Sequence, residues 1–262
     1  MRLFCQDNPQ VYELTATVVD LRPGAVLVDR SPFFPGGGGQ LADRGVVTCG
    51  TREAAVRAIE PEERGTWLVL ADTAHASTSS TTGTDSAALW AHTGDLAAPL
   101  RVLDEVRLKV DVDFRLLMNE LHTLAHVANS VVFARCGGAL LTGAQLADDG
   151  TLRVDFDLPD ANNEQLRALE APINEILRAD VAVGSFYLPR AEAEATPGMF
   201  RSKAVTPPVQ ADGLVRIVEI AGIDRQACGG THVVSTGLCR PCRVVKVESK
   251  GRHNRRMRLA LG

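Results

Sequence analysis

Two pairs of residues in this chain have the spacing of metal ligands. His122 and His126 lie four apart in a helix-like segment, which puts both imidazoles on one helix face, one turn apart. Cys228-Gly229-Gly230-Thr231-His232 offers a thiol and an imidazole four apart across two glycines, which predict a turn. Together they make a His3Cys set, a donor combination suited to one Zn2+. About a hundred residues separate the pairs, so only a fold that brings a helix and a turn together can complete the site.

Cys239-Arg240-Pro241-Cys242 is a CxxC, but no second local cysteine pair exists to complete a structural zinc site. It also follows Thr236-Gly237 in strand-like sequence and does not open a helix, as a redox motif would. Two ordinary cysteines in a turn are expected. The other unusual stretch is Ser31-Pro32-Phe33-Phe34-Pro35-Gly36-Gly37-Gly38-Gly39-Gln40. Four consecutive glycines suit a place where backbone approaches a ligand or another backbone closely. No Gly-Lys-Ser/Thr follows and no GxGxxG opens a helix, which excludes a phosphate loop. Gln40, just past the glycines, is a polar group that can be held toward a site.

The elements around these motifs divide in character. Residues 11–71 read as short strands separated by turn signals such as Arg22-Pro23-Gly24, and predict a small β-barrel. Residues 76–84 are small and polar and read as an exposed loop, with a domain boundary near Pro99. Beyond it, 106–112 alternates as a strand, and 114–133 is helical with Leu117, Leu121, Leu124 and Val131 near one stripe. Residues 152–158 alternate again. Residues 162–178 predict one amphipathic helix, with Asn162 and Gln165 as a capping box. Strands are expected at 179–188, 214–220, 242–248 and 255–261. The fold class is α+β: a β-barrel-like domain over 1–99 and a zinc-containing α+β domain over 100–262.

With 262 residues, 45% of them hydrophobic and 23% charged, the chain can bury a real core, which excludes a disordered or disulfide-stapled chain. No apolar run reaches the roughly 20 residues of a membrane-spanning helix. The first residues lack a signal-peptide core, so a cytoplasmic location is expected. The net charge of −4 hides an asymmetry: residues 240–258 carry eight arginines and lysines against the single acid Glu248. A basic terminal segment on an acidic body can place an anionic polymer, and equally can be a solvated strand face.

Taken in order, these motifs resemble those of the freestanding alanyl-tRNA editing proteins, homologues of the editing domain of alanyl-tRNA synthetase. HTxxH is matched by residues 122–126, CGGTH by 228–232, and the glycine-rich motif by 31–40. The family's D-x-x-x-R is matched by Asp111 and Arg115, and its KGxxNRR ending by residues 250–256. The resemblance covers essentially the whole chain. It implies a zinc-dependent hydrolase that cleaves the ester of a mischarged tRNA in trans, most often Ser- or Gly-tRNA(Ala). It implies metal ligands His122, His126, Cys228 and His232, and catalytic roles for Gln40 and Thr231. It also implies substrate contacts from Ser31, Gly37, Gly38 and Gly39, and tRNA contacts from Arg115, Lys250, Arg252, Arg255 and Arg256. The partner implied is the acceptor end of a tRNA; nothing points to a membrane or to an oligomeric state.

Four protein ligands match a closed structural zinc site, so water activation at the metal and orientation of the substrate both stay open. Two departures from the family bear on specificity. Ser31 stands where Thr is common, and Gly36 where Glu is common. Both changes suit a larger side chain than serine, as in a branch of the family that acts on fluorothreonyl-tRNA(Thr). A non-catalytic, zinc-stabilised tRNA-binding module and a zinc hydrolase of another small ester are the competing readings. The first leaves the glycine motif without a role, and the second predicts no dependence on tRNA.

Overall fold

The computed structural model describes residues 2–71, 100–159, 162–203, 210 and 212–262. The polar loop at 76–84 and the boundary near Pro99 lie outside the described residues. The chain forms two compact units, Met1–Pro35 with Ala42–Arg115, and Gly36–Leu41 with Leu116–Gly262.

The first unit opens with a short helix α1 (Phe4–Asp7) and is built on six strands: β1 (Glu13–Arg22), β2 (Ala25–Val28), β3 (Gly45–Cys49), β4 (Arg52–Glu62), β5 (Gly65–Leu70) and β6 (Glu105–Val110). They close an antiparallel barrel in the order β1-β2-β5-β4-β3-β6. β1 pairs with both β2 and β6, and its register shifts between Val18 and Asp20, a bulge of the kind that turns a strand around a barrel. Alternating apolar residues fill the interior, among them Val18, Val26, Val47, Leu68 and Leu108. β6 closes this barrel, although it follows residue 99: its Val106, Leu108 and Val110 point inward and need the barrel core to bury them.

The second unit contains most of the long helix α2 (Val112–Arg135), whose first turn belongs to the first unit. Asp111 caps it, its Oδ1 accepting from Phe114 N at 3.1 Å. Every residue from 121 to 132 is buried, so α2 is a central helix and not a surface helix with one apolar stripe. β7 (Leu141–Leu146), β8 (Thr151–Asp157), β12 (Cys242–Lys250) and β13 (Asn254–Leu261) form a four-stranded sheet, order β12-β13-β8-β7. β9 (Val183–Pro189), β10 (Leu214–Ile220) and β11 (Asp224–Ala227) form a three-stranded one, order β11-β10-β9.

The helix expected over 162–178 is two: α3 (Asn163–Arg167) and α4 (Glu170–Arg178). Pro172 lies in the first turn of α4, where its missing N–H is tolerated, but it cannot continue a helix from α3. Asn162 caps α3 through Glu164 N at 2.8 Å. A further short helix, α5 (Arg190–Ala195), follows β9. No helix among the described residues is long and apolar enough to cross a membrane.

Candidate metal centre

One face of α2 is polar and yet buried. Asn119, His122, Thr123, His126, Asn129 and Ser130 recur at helical spacing, and all are below 9% exposed. A buried polar stripe needs partners, and β11 with the segment after it supplies them. Asn129 Nδ2 donates to Gln226 Oε1 at 2.8 Å, Ser130 Oγ donates to the Ile223 carbonyl at 3.0 Å, and Thr123 Oγ1 accepts from Val233 N at 3.3 Å.

Between these anchors, His122, His126, Cys228 and His232 converge, their ligand atoms all within 4.8 Å of one another. Cys228 Sγ lies 3.5 Å from His122 Nε2 and 3.4 Å from His232 Nε2. Zinc–nitrogen and zinc–sulfur bonds of about 2.0 and 2.3 Å at a tetrahedral angle put N and S about 3.5 Å apart. The donor set and these two spacings thus fit one tetrahedral ion. The turn carrying Cys228 is clamped by a residue that spacing does not flag: buried Arg216 on β10 donates through Nη1 to the carbonyls of Cys228 at 3.0 Å and Gly230 at 2.9 Å.

Gly230 makes the cluster sterically possible. A Cβ there would stand 2.0 Å from His122 Cε1 and 2.8 Å from Gln40 Oε1. The four-glycine run folds a tight turn in which Gly37 and Gln40 exchange both backbone hydrogen bonds at 3.0 Å, with Gly38 and Gly39 at φ +63° and +94°. Gly39 lies against the backbone of Ala144. This turn delivers Gln40 into the centre. Its Oε1 faces His122 Nδ1 at 2.7 Å and accepts from Thr231 N at 3.0 Å, while Nε2 donates to Thr231 Oγ1 at 2.7 Å.

Burial opposes charge at Cys228, His126 and His232, yet the cluster keeps some. The three imidazoles outweigh burial at Cys228 and hold its thiol well below the usual range, in the thiolate form that binds metal. His126 is pushed up to about 10, because Cys228 and Asp224 outweigh its burial. His232 is pushed down to about 3 by burial and by the neighbouring charge of His122.

The other residues singled out in the sequence fall elsewhere. Ser31 is buried in the first unit, its Oγ accepting from Phe33 N at 3.2 Å. Arg115 is fully buried there too. Its Nε donates to Asp43 Oδ1 at 2.8 Å and its Nη2 donates to the Pro32 carbonyl at 2.8 Å, so two of its three guanidinium nitrogens anchor the segment before the glycines. Lys250, Arg252, Arg255 and Arg256 lie on the hairpin of β12 and β13. Arg256 is bound through two nitrogens to Asp155 at 2.7 and 2.9 Å, Arg255 donates to the Pro159 carbonyl at 2.8 Å, and Lys250 lies 3.5 Å from Glu248. Arg252 is exposed in the connecting turn. Cys239 and Cys242 are both buried free cysteines outside the cluster.

Comparison with known proteins decides the family. Over 256 residues, 97% of this chain and 96% of the relative, the sequence is 30% identical to an alanyl-tRNA editing protein AlaX-M from Saccharolobus solfataricus. The chain belongs to the AlaX-M alanyl-tRNA editing family. An AlaX-M protein from Methanosarcina mazei is 31% identical over 257 residues, 95% of this chain and 92% of the relative. An alanine–tRNA ligase from Korarchaeum cryptofilum is 31% identical over 247 residues, 93% of this chain but 24% of the ligase. Residues 215–258 match the threonyl and alanyl tRNA synthetase second additional domain. That match starts in β10 and takes in β11, the Cys228 turn and most of the basic hairpin, so this AlaX-M homologue carries two of its four candidate ligands in the matched segment.

Proposed function

We propose that this AlaX-M homologue is a trans-acting aminoacyl-tRNA deacylase that hydrolyses the ester of a mischarged alanine tRNA, with Ser- or Gly-tRNA(Ala) as substrate and one zinc ion as cofactor. The observation that carries the reading is the union of the glycine-rich turn with the ligand cluster through Gln40. A zinc ion there would supply Lewis acidity toward an ester carbonyl or a water. The chain's own contribution is orientation. Thr231 Oγ1 accepts from Gln40 Nε2, which leaves the hydroxyl proton to donate to a substrate oxygen. Gln40 in turn holds Thr231 and the His122 ring in fixed register. In this reading the second unit cleaves the ester, and Ser31 and the start of the glycine motif bear on side-chain discrimination. The hairpin turn around Arg252 meets phosphate. Arg115 has no part in that contact, because its guanidinium is committed to Asp43.

Deacylation rates on Ser-, Gly- and Ala-tRNA(Ala), Thr-tRNA(Thr) and fluorothreonyl-tRNA(Thr) at fixed salt test the proposal. Faster loss of serine or glycine is expected. Preference for fluorothreonine would assign the alternative that Ser31 in place of Thr favours, and Ser31→Thr should then shift selectivity toward smaller side chains. His126→Ala should abolish turnover while sparing tRNA affinity. Full turnover in a folded, zinc-free His126→Ala protein would end the zinc-dependent reading. Hydrolysis independent of tRNA would point to another small ester.

A further inference from the structure

Each imidazole of the cluster has an oxygen behind it. His122 Nδ1 faces Gln40 Oε1 at 2.7 Å, His232 Nδ1 faces Thr123 Oγ1 at 3.2 Å, and His126 Nδ1 faces Asp224 Oδ2 at 3.3 Å. Gln40 and Thr123 are neutral. Asp224 is a carboxylate with a fully buried side chain. Burying a carboxylate is costly unless it is paired and hydrogen-bonded. Here one oxygen is ion-paired and the other hydrogen-bonded: Arg201 Nη1 lies 2.8 Å from Oδ1, and Gln226 Nε2 donates to Oδ2 at 2.6 Å. Gln226 is itself held by Asn129 of α2, and the Arg201 guanidinium rests 4.2 Å from the centre of the Phe133 ring. The carboxylate therefore has a fixed plane, with Oδ2 directed at one imidazole nitrogen.

We infer that Asp224 is a positioning residue of the metal centre: it accepts the Nδ1 proton of His126 and leaves that ring's Nε2 as the ligand atom. This rests on the metal reading of the cluster. An outer carboxylate of this kind fixes tautomer and ring orientation and makes the imidazole a stronger donor. Arg201 and Gln226 act one step further out by holding the carboxylate. β11 is thus a ligand-orienting strand, which accounts for a polar Asp-Arg-Gln run whose Asp224 and Gln226 point into the protein.

The test is zinc affinity by chelator competition on the full chain, with the visible spectrum of the Co2+-loaded protein as second readout. Asp224→Ala should weaken zinc binding by about 10- to 100-fold and change the position or intensity of the cobalt bands. Asp224→Asn keeps an acceptor oxygen without the charge and should fall between the two. Arg225→Ala, an exposed position on the same strand, should leave affinity unchanged. If Asp224→Ala does not fold, Asp224→Asn decides. Wild-type affinity and an unaltered cobalt spectrum in a folded Asp224 variant would overturn the inference while leaving the metal centre intact. A wild-type protein that binds neither ion stoichiometrically would overturn the metal reading, and the inference with it.

Discussion

Gln40 performs at the residue scale the work that joins two distant motifs. It accepts from His122 and from the Thr231 backbone and donates to the Thr231 hydroxyl. Gln40→Ala removes all three bonds and should lower zinc affinity at least about tenfold, by the same outer-ligand logic, together with deacylation. Gln40→Glu keeps the acceptor and loses the donor, so it should recover metal affinity more than turnover; chelator competition and single-turnover deacylation separate the two. The cysteines outside the cluster behave oppositely to Cys228. Burial and nearby Glu120 push Cys239 up to about 12, and burial with Glu170 pushes Cys242 up to about 11. Both are thiols at neutral pH, and iodoacetamide at pH 8 should leave them unmodified in the native protein, as peptide mapping would show. Because the folded values lie above the unfolded value of about 8.5, their stabilising share is intact below that pH. It is lost as pH rises toward 11 and 12. Urea midpoints should fall across that alkaline window, and less so in a Cys239→Ala/Cys242→Ala protein.

Two glycines constrain the elements that carry the site, each for its own reason. At Gly39 a side chain meets both a positive φ of +94° and the Ala144 carbonyl 2.5 Å away. At Gly38 the φ of +63° is the only obstacle, with nothing within 4 Å. Gly38→Ala should therefore cost about 1 kcal/mol. Gly39→Ala should cost roughly 2–3 kcal/mol, because backbone must move as well. Thermal unfolding of the two variants checks the order. Gly230→Ala is a different experiment. Its Cβ would occupy the space of the His122 ring, so it should lose zinc binding before it loses the fold, with far-UV circular dichroism retained and metal content near zero.

For the whole molecule, the basic ending is less available than its charge suggests. Arg256 is bound to Asp155, and Lys246, Lys250 and Arg258 all surround Glu248. Two carboxylates offset only part of this charge, and Arg256, the least exposed of these four cations, is the one most committed to the fold. Arg256→Ala should therefore lower stability. Arg252→Ala should weaken tRNA binding and reduce the dependence of log affinity on log salt by about one unit. Filter binding across a salt series distinguishes these outcomes, and equal effects of the two substitutions would contradict the division.

The family, the α+β class and the four candidate ligands were legible in the sequence, because HxxxH on a helix and CxxxH across two glycines are local patterns whose geometry follows from backbone rules. β2, β5 and β10 were also legible, since their aliphatic runs lie between clear turn residues. The barrel's closure by β6 was not, because an alternating strand looks the same on either side of a domain boundary. Nor were Arg216, Asp224 and Gln226 on their strands, nor Arg201 outside any element, since a polar residue reads as exposed until its partner is known. The signal that could have exposed them was the polar stripe of α2, from Asn119 to Ser130 at helical spacing on a helix whose other faces are apolar. Local spacing names the atoms that can bind a metal. Which oxygens stand behind them is set by long-range packing, because hydrogen bonds between residues 98 and 191 positions apart exist only once the chain has folded.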